Sequence, residues 1–240
     1  MSAEWIAGAV IVAVASFVYG LAGFGIGLVS LAFLPFVMSP VTAVVLMTIY
    51  TVVFSTAMLV PLRREVRLRD LVHLGAGTVA GTPLGVWILA ALPATVLTRL
   101  IGLTLIVIVA LEWLGVYPER LTGRRWALAA GVTAGVAGGA VGTPGPPVIL
   151  YTAGQGWSPR AVKGTLQAFF LVNQAAILVG YWWAGLLTAE VGRATVLFFV
   201  PAALTLGLGV ALFNRVDQAG FRRIIFAVLF VSGVVLLVRG

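Results

Sequence analysis

Cysteine is absent from the 240 residues, which excludes disulfides, thiolate metal sites and a cysteine nucleophile while leaving the compartment open. Charge is scarce. Asp, Glu, Lys and Arg make up 9% of the chain, against about 25% in a soluble domain. The acidic residues are Glu4, Glu65, Asp70, Glu112, Glu119, Glu190 and Asp217. None stands at the centre of an apolar segment, Glu112 coming nearest, so a carboxylate proton relay of the usual kind has no residues to run on. The lone histidine, His73, borders the charged stretch Arg63–Asp70 and reads as interfacial. The chain also lacks His-Glu-x-x-His, Gly-x-Ser-x-Gly and aspartates paired within a span. An intramembrane enzyme is therefore not expected, and no catalytic residue, metal site or cofactor is assigned.

What the chain has is hydrophobicity: 61% apolar residues and a mean hydropathy of +1.14. A membrane span takes about 20 apolar residues. The sequence supplies about eight helical segments, at roughly 4–37, 41–61, 71–91, 96–116, 125–157, 161–184, 190–213 and 219–239. The expected fold is an all-α polytopic membrane protein whose standing partner is the lipid bilayer. Met-Ser-Ala-Glu-Trp at the start has no positive n-region, so no cleaved signal peptide is expected. The net charge of +8 sits in short loops and carries topology, not a nucleic-acid surface.

The segments repeat. Gly-Leu-Ala-Gly-Phe-Gly-Ile-Gly at Gly20–Gly27 is followed by Ser39-Pro40, and 119 residues later Gly-Gly-Ala-Val-Gly-Thr-Pro-Gly-Pro-Pro at Gly138–Pro147 is followed by Ser158-Pro159. On that offset Gly20 falls on Gly139 and Gly23 on Gly142. Towards the fourth and eighth segments the offset drifts to 124, setting Gly85 on Gly209 and Arg99 on Arg223. We read an internal duplication, with repeats of roughly 1–118 and 119–240.

Charge chooses the topology. If all eight segments cross with the N-terminus inside, nine Lys and Arg lie inside and six outside. If the first and fifth are re-entrant hairpins of two short half-helices, twelve lie inside (63, 64, 67, 69, 120, 124, 125, 160, 163, 215, 222 and 223). Only Arg99, Arg193 and Arg239 then lie outside. The positive-inside rule favours the hairpins. Each repeat then crosses an odd number of times, which makes the repeats inverted and puts both termini outside.

The breaks carry the candidate site. Irregular backbone at membrane depth is tolerated only where protein or a watery cavity satisfies it, and two such breaks in matching positions of two halves point to a transport site. The N-terminus of a half-helix offers free N–H groups and a partial positive charge to an anion. Glycine lets the backbone approach a ligand and turn left-handed: Gly23, Gly25 and Gly27 in the first repeat, Gly142, Thr143 and Gly145 in the second. Pro144, Pro146 and Pro147 cannot continue a helix but suit the first turn of the next. The donors left are Gly145, Val148, Ile149 and the Thr143 hydroxyl. Small residues at a break also serve tight helix packing.

The segments after the breaks carry polar stripes. Thr48 and Ser55 are seven apart on one face, Gln167 and Gln174 match them in the second repeat, and Asn173 is adjacent. Neutral amides and hydroxyls can orient an oxyanion; they also serve as interhelical hydrogen bonds. Tyr50, Tyr151 and Thr82 are further lining candidates, although tyrosines of this kind commonly form the interfacial belt. Lys163, near Arg160, either draws anions to the cytoplasmic mouth or snorkels as an anchor. Trp87, Trp113, Trp126, Trp157, Trp182 and Trp183 read as interface anchors and say nothing of oligomeric state.

The glycine-rich break at Gly20–Gly27, Ser39-Pro40 and Gly-Thr-Pro-Gly-Pro-Pro-Val-Ile-Leu-Tyr at Gly142–Tyr151 resemble the TauE/SafE sulfite exporter family. Gly145-Pro146-Pro147 with Tyr151 is the more specific part. The first break departs from the Gly-Gly-Gly form common there. The resemblance implies a multi-pass carrier of a bacterial or archaeal inner membrane, acting on sulfite, thiosulfate or organic sulfur anions such as sulfoacetate. The expected function is export of such anions from a site at the midplane between the two hairpins; an anion channel and a cation-coupled uptake carrier are the alternatives. An inside-negative potential alone drives an anion outward by about 2.3 kcal/mol per charge per 100 mV.

Overall fold

In bilayer hydrocarbon a backbone must satisfy its own hydrogen bonds, which leaves helices as the default for runs this apolar. The computed structural model describes residues 3–115 and 121–239. Glu119 and Arg120 of the charge count, the end of the fourth segment and the boundary between the repeats lie outside the described residues, and so does the side chain of Arg222.

The chain order is α1 (Ala3–Ala22), α2 (Ile26–Phe33) with a 3-10 turn at Leu34–Phe36, α3 (Pro40–Leu59) with a 3-10 extension at Val60–Glu65, α4 (Leu68–Ala91) and α5 (Ala94–Trp113). It continues with α6 (Arg124–Val141), α7 (Gly145–Ala153), α8 (Pro159–Trp183), α9 (Ala189–Leu212), a 3-10 turn at Phe213–Arg215 and α10 (Gln218–Arg239). Among the described residues, α1, α3 with its extension, α4, α5, α8 and α9 are long and apolar enough to cross a membrane. The Ser-Pro landmarks are helix starts. Ser39 Oγ accepts the Thr42 N–H at 3.0 Å, Ser158 Oγ accepts the Ala161 N–H at 3.2 Å, and each proline takes the first helical position, where no N–H is needed.

The broken segments differ from the expected pairs of short half-helices. Their first arms have 20 and 18 residues and their second arms 8 and 9, roughly 30 and 27 Å against about 12 and 14 Å. The break falls late because the glycines that turn left-handed do. Gly23 (φ 79°) and Gly142 (φ 63°) sit at the ends of the long arms, where such a residue closes a helix, and Gly25 (φ 92°) opens α2 as its N-cap.

The helices gather in two compact units, each drawing on both halves of the sequence. One contains Met1–Met47, Leu92–Leu114 and Leu187–Gly240. Within it α1 packs on α9 and α5 on α10. A Cβ at Gly20 would lie 2.4 Å from the Leu206 carbonyl oxygen, and one at Gly209 would lie 2.3 Å from that of Phe17. The ends of the first hairpin come together: Glu4 and Trp5 line a small cleft with Val37 and Met38. Val196, Val200, Leu204 and Leu208, four apart on α9, are exposed, a stripe suited to lipid.

The other unit contains Thr48–Ala91 and Gly115–Leu186. Here α4 and α6 cross through glycines four apart, Gly77, Gly81 and Gly85 against Gly131, Gly135 and Gly139, with the backbones in contact. The pair Gly85–Gly139 in this unit and the pair Gly209–Gly20 in the other stand at positions matched by the sequence offsets of 119 and 124. The start of α8 rests on the stretch after α3. Arg160 lies 3.7 Å from Glu65, Arg67 N–H donates to Thr165 Oγ1 at 3.0 Å, and a Cβ at Gly164 would meet the Leu62 carbonyl oxygen at 3.0 Å.

Candidate functional site

The second hairpin, in the second unit, is built around its tip. At the end of α6 the Gly142 N–H bonds to Gly138 and Ala137 carbonyls and Thr143 N–H to Ala137, so the left-handed glycine reuses carbonyls that a helix end would strand. Tyr181 of α8 donates to the Gly139 carbonyl at 2.7 Å, and a side-chain hydrogen bond ties Tyr181 to Thr48. Thr48 thus belongs to the mount of the hairpin. The foot of the hairpin closes on itself. Gln155 donates to the carbonyl of Leu121, just before α6, at 2.7 Å, and Tyr151 donates to Asp70 at the start of α4 at 2.5 Å.

The chain turns back at Pro144, and α7 begins at Gly145 with prolines in its first turn and no side-chain cap. Pro146 and Pro147 have no N–H, and Ile149 lies in the helix's own ladder. The N–H group left at this end is that of Gly145, with the positive end of the α7 dipole behind it. Depth follows from α8. A Cβ at Gly145 would lie 3.6 Å from the Phe170 ring, and Phe170 and Asn173 stand roughly halfway along the 25-residue α8, a helix about 37 Å long.

Among the described residues, four buried side-chain atoms have no hydrogen-bond partner: Ser30 Oγ, Thr143 Oγ1, Asn173 Oδ1 and Gln174 Oε1. Three of the four belong to this hairpin and α8. Thr143 precedes the turn itself. Asn173 Oδ1 would lie 3.1 Å from a Cβ at Gly138, as would Pro144 Cβ, which puts that oxygen at the break. Gln174 follows Phe170 by one turn, on the face that reaches α7. Asn173 is fully buried and Gln174 and Thr143 nearly so. Leaving such groups unpaired costs about 1–3 kcal/mol each, a pattern expected where a ligand completes the bonding.

Of the predicted residues, Thr143, Gly145 and Asn173 lie at this break, with Gly142, Pro146 and Pro147 shaping the backbone and Gln174 next to Asn173 along α8. Gln167 and Ser55 are fully buried and each is engaged by a neighbouring group. In the other unit Gly23 and Gly25 take the left-handed conformation, whereas Gly27 is helical in the first turn of α2. Below that turn lies Ser30, a lone hydroxyl in an apolar half-helix whose isolation is legible in the sequence. An apolar cavity of about 210 Å³ opens at Gly25, lined by Phe24, Phe213, Phe221 and Phe226 among others. Tyr50 and Tyr151 are each 1% exposed, so the belt reading fails for them: their hydroxyls sit in protein. Trp87, Trp113, Trp126, Trp182 and Trp183 are more than half exposed, as anchors should be. Trp157 instead packs edge-on against Tyr151.

Two side chains essential to this geometry escaped the sequence reading. Thr78 of α4 accepts the Asn173 amide N–H at 3.0 Å and donates to the Gly131 carbonyl at 3.2 Å. Tyr181 adjoins Trp182 and Trp183 and so resembles a belt residue, yet it is fully buried.

The arrangement is a broken helix with free donors at mid-length, neutral polar atoms awaiting partners, and a lipid-facing exterior. Comparison with curated proteins and with solved structures returns no match. A family profile described as sulfite exporter TauE/SafE matches residues 8–236. A match of that extent takes in both breaks and all or most of every helix described above: the chain belongs to the TauE/SafE family of membrane transporters.

Proposed function

We propose that this protein exports small sulfur-containing anions across a bacterial or archaeal inner membrane, engaging them at the broken segments. The observation that carries the reading is the pair of buried, unpartnered polar atoms of Thr143 and Asn173 at the break before α7, with the unpartnered Gln174 next in line on α8. Free N–H groups and a helix dipole suit an oxyanion, and neutral side chains hold it without the tight ion pairing that would slow release. Gly23 and Gly25 give the first repeat a matching turn ahead of α2, with Ser30 in place of the amides.

The topology proposed is the one with two re-entrant hairpins, inverted repeats and both termini outside. Four contacts support it. Gln155 reaches the carbonyl of Leu121, so the second hairpin closes where it opens. Glu4 and Trp5 share a cleft with Val37 and Met38, as the first hairpin would require. Arg160 and Thr165 meet Glu65 and Arg67, whereas eight full crossings would put these stretches on opposite sides.

No carboxylate lies at the described break, so the membrane potential is the proposed driving force. At about 2.3 kcal/mol per charge per 100 mV it sustains roughly a fifty-fold gradient of a monoanion. The test is sulfite and thiosulfate flux in proteoliposomes under an imposed potential, with chloride and sulfate as competitors. Saturable flux with counterflow, in the absence of sodium and of a proton gradient, is expected. Non-saturable flux would make it a channel, and flux only with a cation gradient would replace the uniport mechanism. Gln174→Ala should weaken binding; unchanged affinity and flux in that variant would remove Gln174 from the site.

A further inference from the structure

The orientation of one amide restricts what the site can accept. Thr78 Oγ1 has a single proton, and it points to the Gly131 carbonyl at 3.2 Å. Towards Asn173, 3.0 Å away, that hydroxyl can therefore only accept. The Asn173 amide must present its nitrogen to Thr78 and hence its oxygen to the break. Asn173 is fully buried, and Oδ1 has no partner. An amide oxygen cannot donate, and it repels the lone pairs of a fully deprotonated oxyanion. Beside it the Gly145 N–H and the positive end of α7 attract negative charge. The break thus presents donors and one fixed acceptor together.

We infer that the species bound at the second break is a singly protonated oxyanion, of the hydrogensulfite type, whose proton is donated to Asn173 Oδ1 while its other oxygens accept from Gly145 N–H and the Thr143 hydroxyl. This deepens the proposed function and rests on it. A site built to pair a ligand hydrogen discriminates against a ligand of the same shape without one, because its buried acceptor is then left unpaired. Full dianions, thiosulfate among them, and aprotic sulfonates are the disfavoured class, which narrows the proposed substrates to sulfite in its singly protonated form. The net charge moved per turnover is then one. Thr78 is a positioning residue in this account: it touches no ligand and fixes the amide.

The experiment measures sulfite flux in proteoliposomes at equal pH on both sides and a clamped potential, from mildly acidic to mildly alkaline pH. Methanesulfonate, a monoanion with no acidic proton at these pH values, is the competitor. Flux at constant total sulfite should follow the singly protonated fraction, and methanesulfonate should bind more weakly by on the order of tenfold. Asn173→Leu should narrow that gap. Thr78→Val, which frees the amide to rotate, should narrow it too while leaving the break intact, and it serves if the first variant does not fold. Flux that follows the dianion, or methanesulfonate competing as well as sulfite, overturns the inference and leaves anion transport standing. A sodium requirement that disappears in Asn173→Leu also overturns it, because Oδ1 then serves a cation. Absence of sulfite flux at every pH removes the transport reading itself.

Discussion

Replacing Gly81 by alanine tests whether backbone contact sets the α4–α6 crossing. A Cβ at Gly81 would lie 2.2 Å from the Val132 carbonyl oxygen and 3.0 Å from its carbonyl carbon. Those atoms are backbone and cannot rotate aside, so the helices must separate by about 1 Å in a close-packed interior. Gly77 and Gly85, one turn either way, stand equally close, with Cβ positions 2.3 Å from the Leu128 oxygen and 2.5 Å from the Val136 oxygen. Separation at one glycine therefore loosens all three. Overpacking of this kind costs about 1–3 kcal/mol. In water alanine would recover up to about 1 kcal/mol through helix propensity. In a bilayer the separated helices stay helical, so that recovery is largely lost. For a chain of this length the loss corresponds to roughly 2–12 °C in Tm. Thermal unfolding followed by tryptophan fluorescence in detergent reads it. Gly207→Ala on α9 is the control, since nothing lies within 4 Å of its Cβ position. A Gly81→Ala protein that melts with or above that control would refute the argument.

Tyr181→Phe should lower Tm by a few degrees, because the Gly139 carbonyl and Thr48 both lose a partner and a buried hydrogen bond contributes about 0.5–1.5 kcal/mol; unchanged Tm and flux would take Tyr181 out of the hairpin's mount. Glu65→Gln should leave Tm within about 0.5 kcal/mol equivalent, since the Arg160–Glu65 pair is 70% and 40% exposed at 3.7 Å and exposed pairs contribute little; a larger drop would mean the pair works as part of a network. The absence of cysteine makes every introduced one a unique reporter. Arg64→Cys and Arg160→Cys should react with an impermeant maleimide from one side of the membrane and Arg239→Cys from the other; labelling of Arg64→Cys and Arg160→Cys from opposite sides would eliminate the re-entrant topology.

Local chemistry was readable in advance. Ser39-Pro40 and Ser158-Pro159 cap helices because a hydroxyl and a proline need only their own next three residues to do so. Gly142-Thr143-Pro144-Gly145-Pro146-Pro147 breaks a helix whatever surrounds it. The arm lengths were not readable in the same way: two short half-helices were expected, and the left-handed glycines instead stand late in each run. The glycine spacing of α4 and α6 is visible in the sequence, but it names no partner. That α4 meets α6 and α9 meets α1, each across the two halves of the sequence, is a matter of which backbones can approach most closely. The polar stripe is the clearest case. Gln167, Asn173 and Gln174 look alike along α8, yet one is engaged by a neighbour and two have acceptor oxygens without partners.

By itself the sequence determined the membrane setting, the helical segments and the two breaks. A bilayer sets one length and one hydropathy for a span, and Gly and Pro act through their own dihedral angles. The tertiary structure decided which helices share a unit and that Tyr50, Tyr151 and Tyr181 are buried. It also decided which way the Asn173 amide faces. The direction of a hydrogen bond belongs to both partners, and the partner of Asn173 is Thr78, 95 residues away in the chain.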